Sequence, residues 1–280
     1  ATNSQVVVSE GQIYELMVTD ETNHCSSINN LLVKKDVQMP KVSIPSVDQI
    51  DCIVLNQTLT AIPIASHDVS YQWNDNSTAN SLVVIEGNTY TVNITDKVNN
   101  CTASASISVT KDVTNPTVSI PTVGQINCKD TSMILSASAT ANHSINYLWN
   151  DNSNESTLTV SEKNTYSVIV TDIINNCTAS ASLDVDKNVI APTISIPAVE
   201  QIDCTHTSRT LTVNTTADTG HSVTYLWNNN SDQSTLTITE DGIYNITVTD
   251  NNNFCSVTGT QSVIKDITMP SVQIPAVNQI

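Results

Sequence analysis

Apolar and polar residues alternate along almost the whole chain, in short runs broken by Asn, Asp, Ser and Pro. The stretch 116–191 shows the pattern. Thr117 to Ile120 is a β-rich run between prolines. Met133 to Ala139 alternates, as does its counterpart Leu211 to Thr215. Asn146 to Asn150 carries Tyr147, Leu148 and Trp149, and Thr157 to Ser161 sets Leu158 and Val160 on alternate positions. Tyr166, Val168 and Val170 alternate with Ser167, Ile169 and Thr171 before Asp172. After an Asn-rich turn, Cys177 opens a last run through Ala181, Leu183 and Val185. A period of two residues puts one face of a strand into a core and the other into water. Six or seven such strands, with turn signals every 8 to 12 residues, predict a β-sandwich. No segment carries the 3.6-residue apolar period of a helix.

The pattern repeats. Trp73, Trp149 and Trp227 lie 76 and 78 residues apart. Tyr14, Tyr90, Tyr166 and Tyr244 keep the same spacing, as do Cys25, Cys101, Cys177 and Cys255, and also Cys52, Cys128 and Cys204. Pro40, Pro116, Pro192 and Pro270 mark the seams. The third full repeat carries two extra residues between Cys204 and Trp227, where a loop absorbs them. The expected architecture is an all-β tandem array of small immunoglobulin-like sandwiches, beads on a string. Its divisions are a partial repeat over 1–39, full repeats over 40–115, 116–191 and 192–269, and the start of another over 270–280. Each core is built on one Trp and a Tyr (Trp73 with Tyr90, Trp149 with Tyr166, Trp227 with Tyr244). In this register Ala1 aligns with Ser77 and Ile280 with Ile126, so a window cut from a longer array is expected. The two ends do not complete one domain, because the equivalents of 127 through 152 are missing from both.

Composition narrows the classes of function. Val, Ile and Thr are abundant, and only 13% of residues are charged. A net charge of −17 argues against nucleic acid and anionic membranes as partners. No stretch approaches the ~18 apolar residues of a membrane span, and no signal peptide opens the chain. An active site is singular, and every notable polar residue here recurs with the repeat, so the chain reads as no enzyme and no catalytic residue is named.

Two cysteines per repeat, with no CxxC and no His at ligand spacing, point to disulfides and an oxidising compartment. A sandwich of about 76 residues is marginal on burial alone. The pairing expected first is within repeats: Cys52–Cys101, Cys128–Cys177 and Cys204–Cys255, with Cys25 unpaired. Each bridge closes a loop of about 50 residues, worth roughly 3–4 kcal/mol in the chain-entropy picture. It requires Cα atoms within ~7 Å, and in a plain immunoglobulin order the two positions lie at opposite poles. The alternative joins neighbouring repeats, as in Cys52–Cys177.

The string from Tyr90 to Asp96 (Tyr-Thr-Val-Asn-Ile-Thr-Asp), followed by Asn100-Cys101-Thr102, Lys111-Asp112 and Pro116 to Ile120, resembles the Ig-like and PKD-like repeats of giant bacterial surface proteins. The resemblance covers every repeat. It implies spacer domains of adhesins, secreted fibres or surface layers. The chain departs from antibody-type domains in its cysteine and tyrosine spacings, so their pin between the two sheets is not carried over. It also lacks the Gly-Asp-Gly loop of the standard PKD pattern.

Four further recurring features are candidate sites. His67, His143 and His221 each precede a tryptophan by six residues, as loop residues or as contacts between repeats. Asp96, Asp172 and Asp250 end the tyrosine strand, and Asp36, Asp112 and Asp266 sit near the seams. They are weak calcium candidates beside a turn-capping role, because Asn188 replaces the seam aspartate once and no DxD cluster occurs. Ten Asn-x-Ser/Thr sequons occur, close to the number chance gives. Asn93 and Asn245 point outward on their strand and are the candidate glycosylation sites. Lys35, Lys111, Lys187 and Lys265 end the last strand, where an ordinary surface lysine outweighs an isopeptide bond to Asn. The reading is a structural segment of a long extracellular or cell-surface fibre, filament or adhesin stalk, forming a semi-rigid, disulfide-stabilised rod. Its partners are neighbouring repeats, with self-association into filaments as a variant, and it needs no cofactor beyond the calcium option. The alternative is an adhesive module presenting loops to a glycan or protein.

Overall fold

The computed structural model describes residues 5–276. Of the 1–39 and 270–280 segments expected at the two ends, positions 1–4 and 277–280 lie outside the described residues. The protein is all-β, with no helix among the described residues. It divides into two compact units, residues 1–115 with 172–177, and residues 116–171 with 178–280.

The first unit opens with an antiparallel hairpin, β1 (Ile13–Thr19) and β2 (Ser26–Leu32). Its apolar side chains, Leu16 and Val18 among them, are exposed. Seven strands follow: β3 (Lys41–Ser43), β4 (Gln57–Thr60), β5 (Ile62–Ile64), β6 (Val69–Trp73), β7 (Ser81–Val84), β8 (Asn88–Asp96) and β9 (Thr102–Val109). They pair antiparallel as β3–β5, β4–β7 and the three-stranded sheet β6–β8–β9. β4 and β5 are halves of one run, interrupted where the Ala61 N–H leaves to donate to the Asn80 carbonyl. Alternation decides which side chains enter the core. On β8, Val92 and Ile94 are fully buried while Asn93 between them is exposed. With Ile50, Leu59, Trp73 and Val84 they form the core of this sandwich.

The second unit holds two more sandwiches of the same plan. One comprises β10 (Thr117–Ser119), β11 (Met133–Ser136), β12 (Ser138–Thr140), β13 (Ile145–Trp149), β14 (Thr157–Val160), β15 (Asn164–Asp172) and β16 (Thr178–Val185). The other comprises β17 (Thr193–Ser195), β18 (Arg209–Thr212), β19 (Asn214–Thr216), β20 (Val223–Trp227), β21 (Thr235–Ile238), β22 (Gly242–Asp250) and β23 (Ser256–Val263). Their sheets are β10–β12, β11–β14 and β13–β15–β16, then β17–β19, β18–β21 and β20–β22–β23. Each sandwich has its own core around Trp149 or Trp227. The two extra residues of the last repeat fall in the loop between β19 and β20, where Gly220 takes a positive φ of 83°.

Three recurring devices hold each sandwich. The tryptophan is 1% exposed, and its Nε1–H donates at 2.9 Å to the carbonyl six residues on, at Ala79, Glu155 and Gln233. The tyrosine hydroxyl donates to the carbonyl four residues back, at Glu86, Glu162 and Glu240, and Tyr14 does the same to Glu10. This is the tyrosine corner of immunoglobulin-like sandwiches, present without their cysteine spacing. Finally Ile50, Ile126 and Ile202 each make a parallel bridge to Lys111, Lys187 and Lys265. In the first case the Ile50 N–H donates to the Thr110 carbonyl, and its carbonyl accepts from the Asp112 N–H. The lysine side chains meet glutamates, at 3.2 Å for Lys35–Glu10 and 2.8–2.9 Å for Lys111–Glu86, Lys187–Glu162 and Lys265–Glu240. The amines are thus paired with carboxylates and not with Asn.

Candidate functional site: the stapled seams

The bridge from Ile50 to Lys111 places Cys52 at the far end of β9, beside the last residues of its repeat. Cys101 stands at the other end, just before β9 begins. A strand of eight residues spans roughly 27 Å, and a disulfide needs its Cα atoms within ~7 Å. The expected pairing within repeats is therefore corrected. Cys52 bonds to Cys177 and Cys128 bonds to Cys255, each with a Cα separation of 5.0 Å. Each bond joins the first cysteine of one repeat to the second cysteine of the next. Cys25, Cys101 and Cys204 are free.

The partner of each staple is the loop after the tyrosine strand. It is a four-residue turn with a fixed construction. The Asp96 N–H donates to the Cys101 carbonyl and the Asn100 N–H to the Asp96 carbonyl, and the same pairs recur at Asp172 with Cys177 and at Asp250 with Cys255. The residue before each cysteine takes a positive φ, 59° at Asn100, 55° at Asn176 and 57° at Phe254. Asn tolerates that region better than most side chains. Asp96, Asp172 and Asp250 sit beneath the turn, each 1% exposed. Asp96 Oδ1 accepts from the Val98 and Asn99 N–H groups, and Asp250 Oδ1 from those of Asn252 and Asn253. Their second oxygens meet histidine, His67 Nδ1 at 3.0 Å and His221 Nδ1 at 2.6 Å. Burial pushes both carboxyls up, but these hydrogen bonds and the imidazole charge outweigh it and hold them below the ordinary value of 3.8.

His67 also reaches the preceding repeat, its Nε2 lying 3.6 Å from Asp36. His143 is exposed and engaged. Among the described residues no group of three His, Cys, Asp or Glu is placed to hold a metal ion. The seam aspartates accept from backbone N–H groups. Asp36, Asp112 and Asp266 each accept from the N–H two residues on. Asn188 accepts in the same way from Ile190. An amide oxygen does that task as a carboxylate does, which explains why Asn stands there.

The side chain that clamps the seam is an asparagine the sequence reading passed over. Asn99, Asn175 and Asn253 each cap their loop by accepting from the N–H of Cys101, Cys177 or Cys255. The amide nitrogen then reaches back to the preceding repeat. Asn99 Nδ2 donates to Asp36 Oδ1 and the Gln38 carbonyl, Asn175 to the Thr114 carbonyl at 2.9 Å, and Asn253 to Asn188 Oδ1 and the Ile190 carbonyl. Asn175 and Asn253 are fully buried. The staple adds a backbone bond, from the Cys52 N–H to the Asn175 carbonyl at 3.1 Å and from the Cys128 N–H to the Asn253 carbonyl at 3.0 Å. A second side-chain pair differs between the two seams. Asn176 Nδ2 donates to Asp51 Oδ2 at 2.7 Å in one. In the other, Asn127 replaces Asp51, Phe254 replaces Asn176, and Lys129 Nζ lies 5.2 Å above the Phe254 ring. Asp51 is held below its usual pKa by the Val54 N–H, then Asn176, then the Ile53 N–H.

The candidate glycosylation residues stand away from the seams. Asn93 is exposed on β8 opposite Ser104. Asn245 is exposed on β22, where its Oδ1 accepts from the Thr260 hydroxyl.

No protein-family model and no curated protein sequence matches the chain. Solved structures of tandem immunoglobulin domains do. The N-terminal eight Ig domains of Down Syndrome Cell Adhesion Molecule are 13% identical, with a TM-score of 0.41 over 93% of this chain and 40% of theirs. The titin I-band fragment I67-I69 is 14% identical, with a TM-score of 0.40 over 82% of this chain and 100% of its own. Sidekick-1 immunoglobulin domains 1-5 are 12% identical, with a TM-score of 0.34 over 93% and 67%.

Proposed function

We propose that the chain is a load-bearing structural segment of a long extracellular fibre, filament or adhesin stalk, made of immunoglobulin-like repeats locked into a semi-rigid rod. The observation that carries this is the seam. A disulfide, a backbone hydrogen bond and a buried asparagine clamp converge where one repeat meets the next, where a flexible linker would otherwise leave the domains free to swing. Each staple closes a loop of 125 or 127 residues, worth about 5 kcal/mol in the chain-entropy picture. Disulfides persist in oxidising surroundings, which supports an extracellular setting. Small-angle scattering of the full chain before and after reduction tests the rod. The oxidised chain should give one narrow distribution of interatomic distances, broadening when Cys52–Cys177 and Cys128–Cys255 are reduced. A peptide map showing Cys52–Cys101, or scattering indifferent to reduction, would sink the reading.

A further inference from the structure

We propose that the two staples act together as an extension limiter, so that tension passes from Cys52 to Cys255 through only the stretch of chain between Cys177 and Cys128. The limit follows from the order in which four cysteines are joined. They come along the chain as Cys52, Cys128, Cys177 and Cys255, and the bonds join the first to the third and the second to the fourth. A pull that reaches Cys52 crosses its bond to Cys177, a Cα step of 5.0 Å, and leaves the chain from 53 to 127 unloaded. At Cys128 the second bond carries the pull to Cys255 in the same way, and leaves 178 to 254 unloaded. The remaining link is the chain from Cys177 back to Cys128, traversed against its own direction. Its sequence separation is 49, whereas a route using one bond alone takes the 76 from Cys52 to Cys128 or the 78 from Cys177 to Cys255. The shortest route goes taut first.

The loaded stretch is the body of the middle sandwich, β11 to β15. Cys177 directly precedes β16, and Cys128 lies past the other end of that strand, its Sγ 3.9 Å from the Val189 carbonyl. Eight residues of strand separate the two points of load by roughly 27 Å. What resists is the pairing of β15 with β16 over eight residues and the core around Trp149. The hydrogen bonds of an antiparallel ladder run perpendicular to the strands, so a pull along β15 strains the whole ladder together and not one bond at a time. Strands β4 to β9 of the first sandwich lie in the bypassed 53–127, and β17 to β22 of the last lie in 178–254. Opening either of those cores adds no length between Cys52 and Cys255.

The limiter also fails in unequal steps. At ~3.3–3.6 Å per residue, a separation of 49 pulls out to about 160–180 Å, against about 670–730 Å for the 203 from Cys52 to Cys255 without staples. Losing one staple shifts the load to the 76 or the 78 and releases only about 90–100 Å. Losing both releases about 500–540 Å.

The test is single-molecule force spectroscopy of the full chain held by its two ends without reductant. Chain outside 52–255 contributes equally to every variant, and the fully stretched length does not depend on whether a variant folds. The middle sandwich should give one contour-length step of about 130–150 Å. Cys52→Ser or Cys128→Ser should each lengthen the taut chain by about 90–100 Å, and the two together by about 500–540 Å. Cys101→Ser should leave it unchanged. Val168→Ala, in the middle core, should lower the force of the step, whereas Val92→Ala, at the same place in a bypassed core, should not. This limiter rests on the stapled-seam reading. A taut chain lengthened about 160–180 Å by Cys101→Ser would mean pairing within repeats and would sink both. With the staples mapped as described, a step whose force falls as much with Val92→Ala as with Val168→Ala overturns the limiter alone.

Discussion

Gly259 shows how single residues keep three similar cores distinct. It stands on β23 opposite Ile246, where the other repeats place Ala105 opposite Val92 and Ala181 opposite Val168. A Cβ there would meet Ile194 Cδ1 at 2.6 Å and Ile196 Cδ1 at 3.0 Å. The counterparts of Ile194 are the smaller Val42 and Val118. A methylene gained at 194 is thus accommodated by a methyl lost at 259, as close packing requires. Because the crowded atoms are the rotatable ends of Ile194 and Ile196, Gly259→Ala is expected to destabilise its repeat by at most about 1 kcal/mol, with Ile194→Val relieving the clash. Urea melts of the two single variants and the double variant would show it. No spacing argument reveals such a pair, because it is a matter of volume across two sheets.

The element that does most at the seam is the four-residue loop that ends in cysteine. Its asparagine is buried, caps the loop and grips the neighbouring repeat. Asn253→Ala removes a buried donor from the Ile190 carbonyl and should reduce stability by about 1–3 kcal/mol, read as a lower denaturation midpoint. Acid should act on the same loop. Asp96 and Asp250 have carboxyls held below 3.8 in the folded chain. The unfolded chain therefore binds more protons below about pH 4, so their stabilisation is present above that pH and is lost as pH falls. Asp250→Asn should flatten the acid limb of a stability–pH curve, and an unchanged limb would deny the loop that part. The strands, the buried tryptophans and the loop that takes the two-residue insertion were legible, because alternation and period report them directly, whereas of the three tyrosines only Tyr166 is buried and Tyr90 and Tyr244 pack at the core's margin. The cysteine partners were not legible. Pairing within a repeat and pairing between neighbours are equally periodic, and only the bridge from Ile50 to Lys111 says which pole Cys52 occupies. The clamp asparagines recur at the same spacing as the tryptophans, but in a chain this rich in Asn the recurrence did not stand out.

At the scale of the whole molecule the staples couple neighbouring repeats. Calorimetry of the oxidised chain is expected to give fewer, broader-coupled transitions than the chain with Cys52→Ser and Cys128→Ser, whose repeats should melt more independently and at lower temperature. The twin substitutions leave each core untouched, so separate cores with unchanged melting temperatures would mean the seams carry no energetic coupling. The lysine–glutamate pairs should matter little by comparison, since exposed ion pairs contribute about 0–1 kcal/mol, and added salt should leave the transitions near where they were.

The two staples also overlap. One encloses residues 52 to 177 and the other 128 to 255, so no single peptide bond between Cys52 and Cys255 can be cut to break the protein in two. A protease that nicks any exposed loop in that range leaves one covalently continuous molecule. Within 128 to 177 both staples span the wound. Where hydrolases act, the chain thereby tolerates local damage and stays one covalent piece, until a reductant opens the bonds.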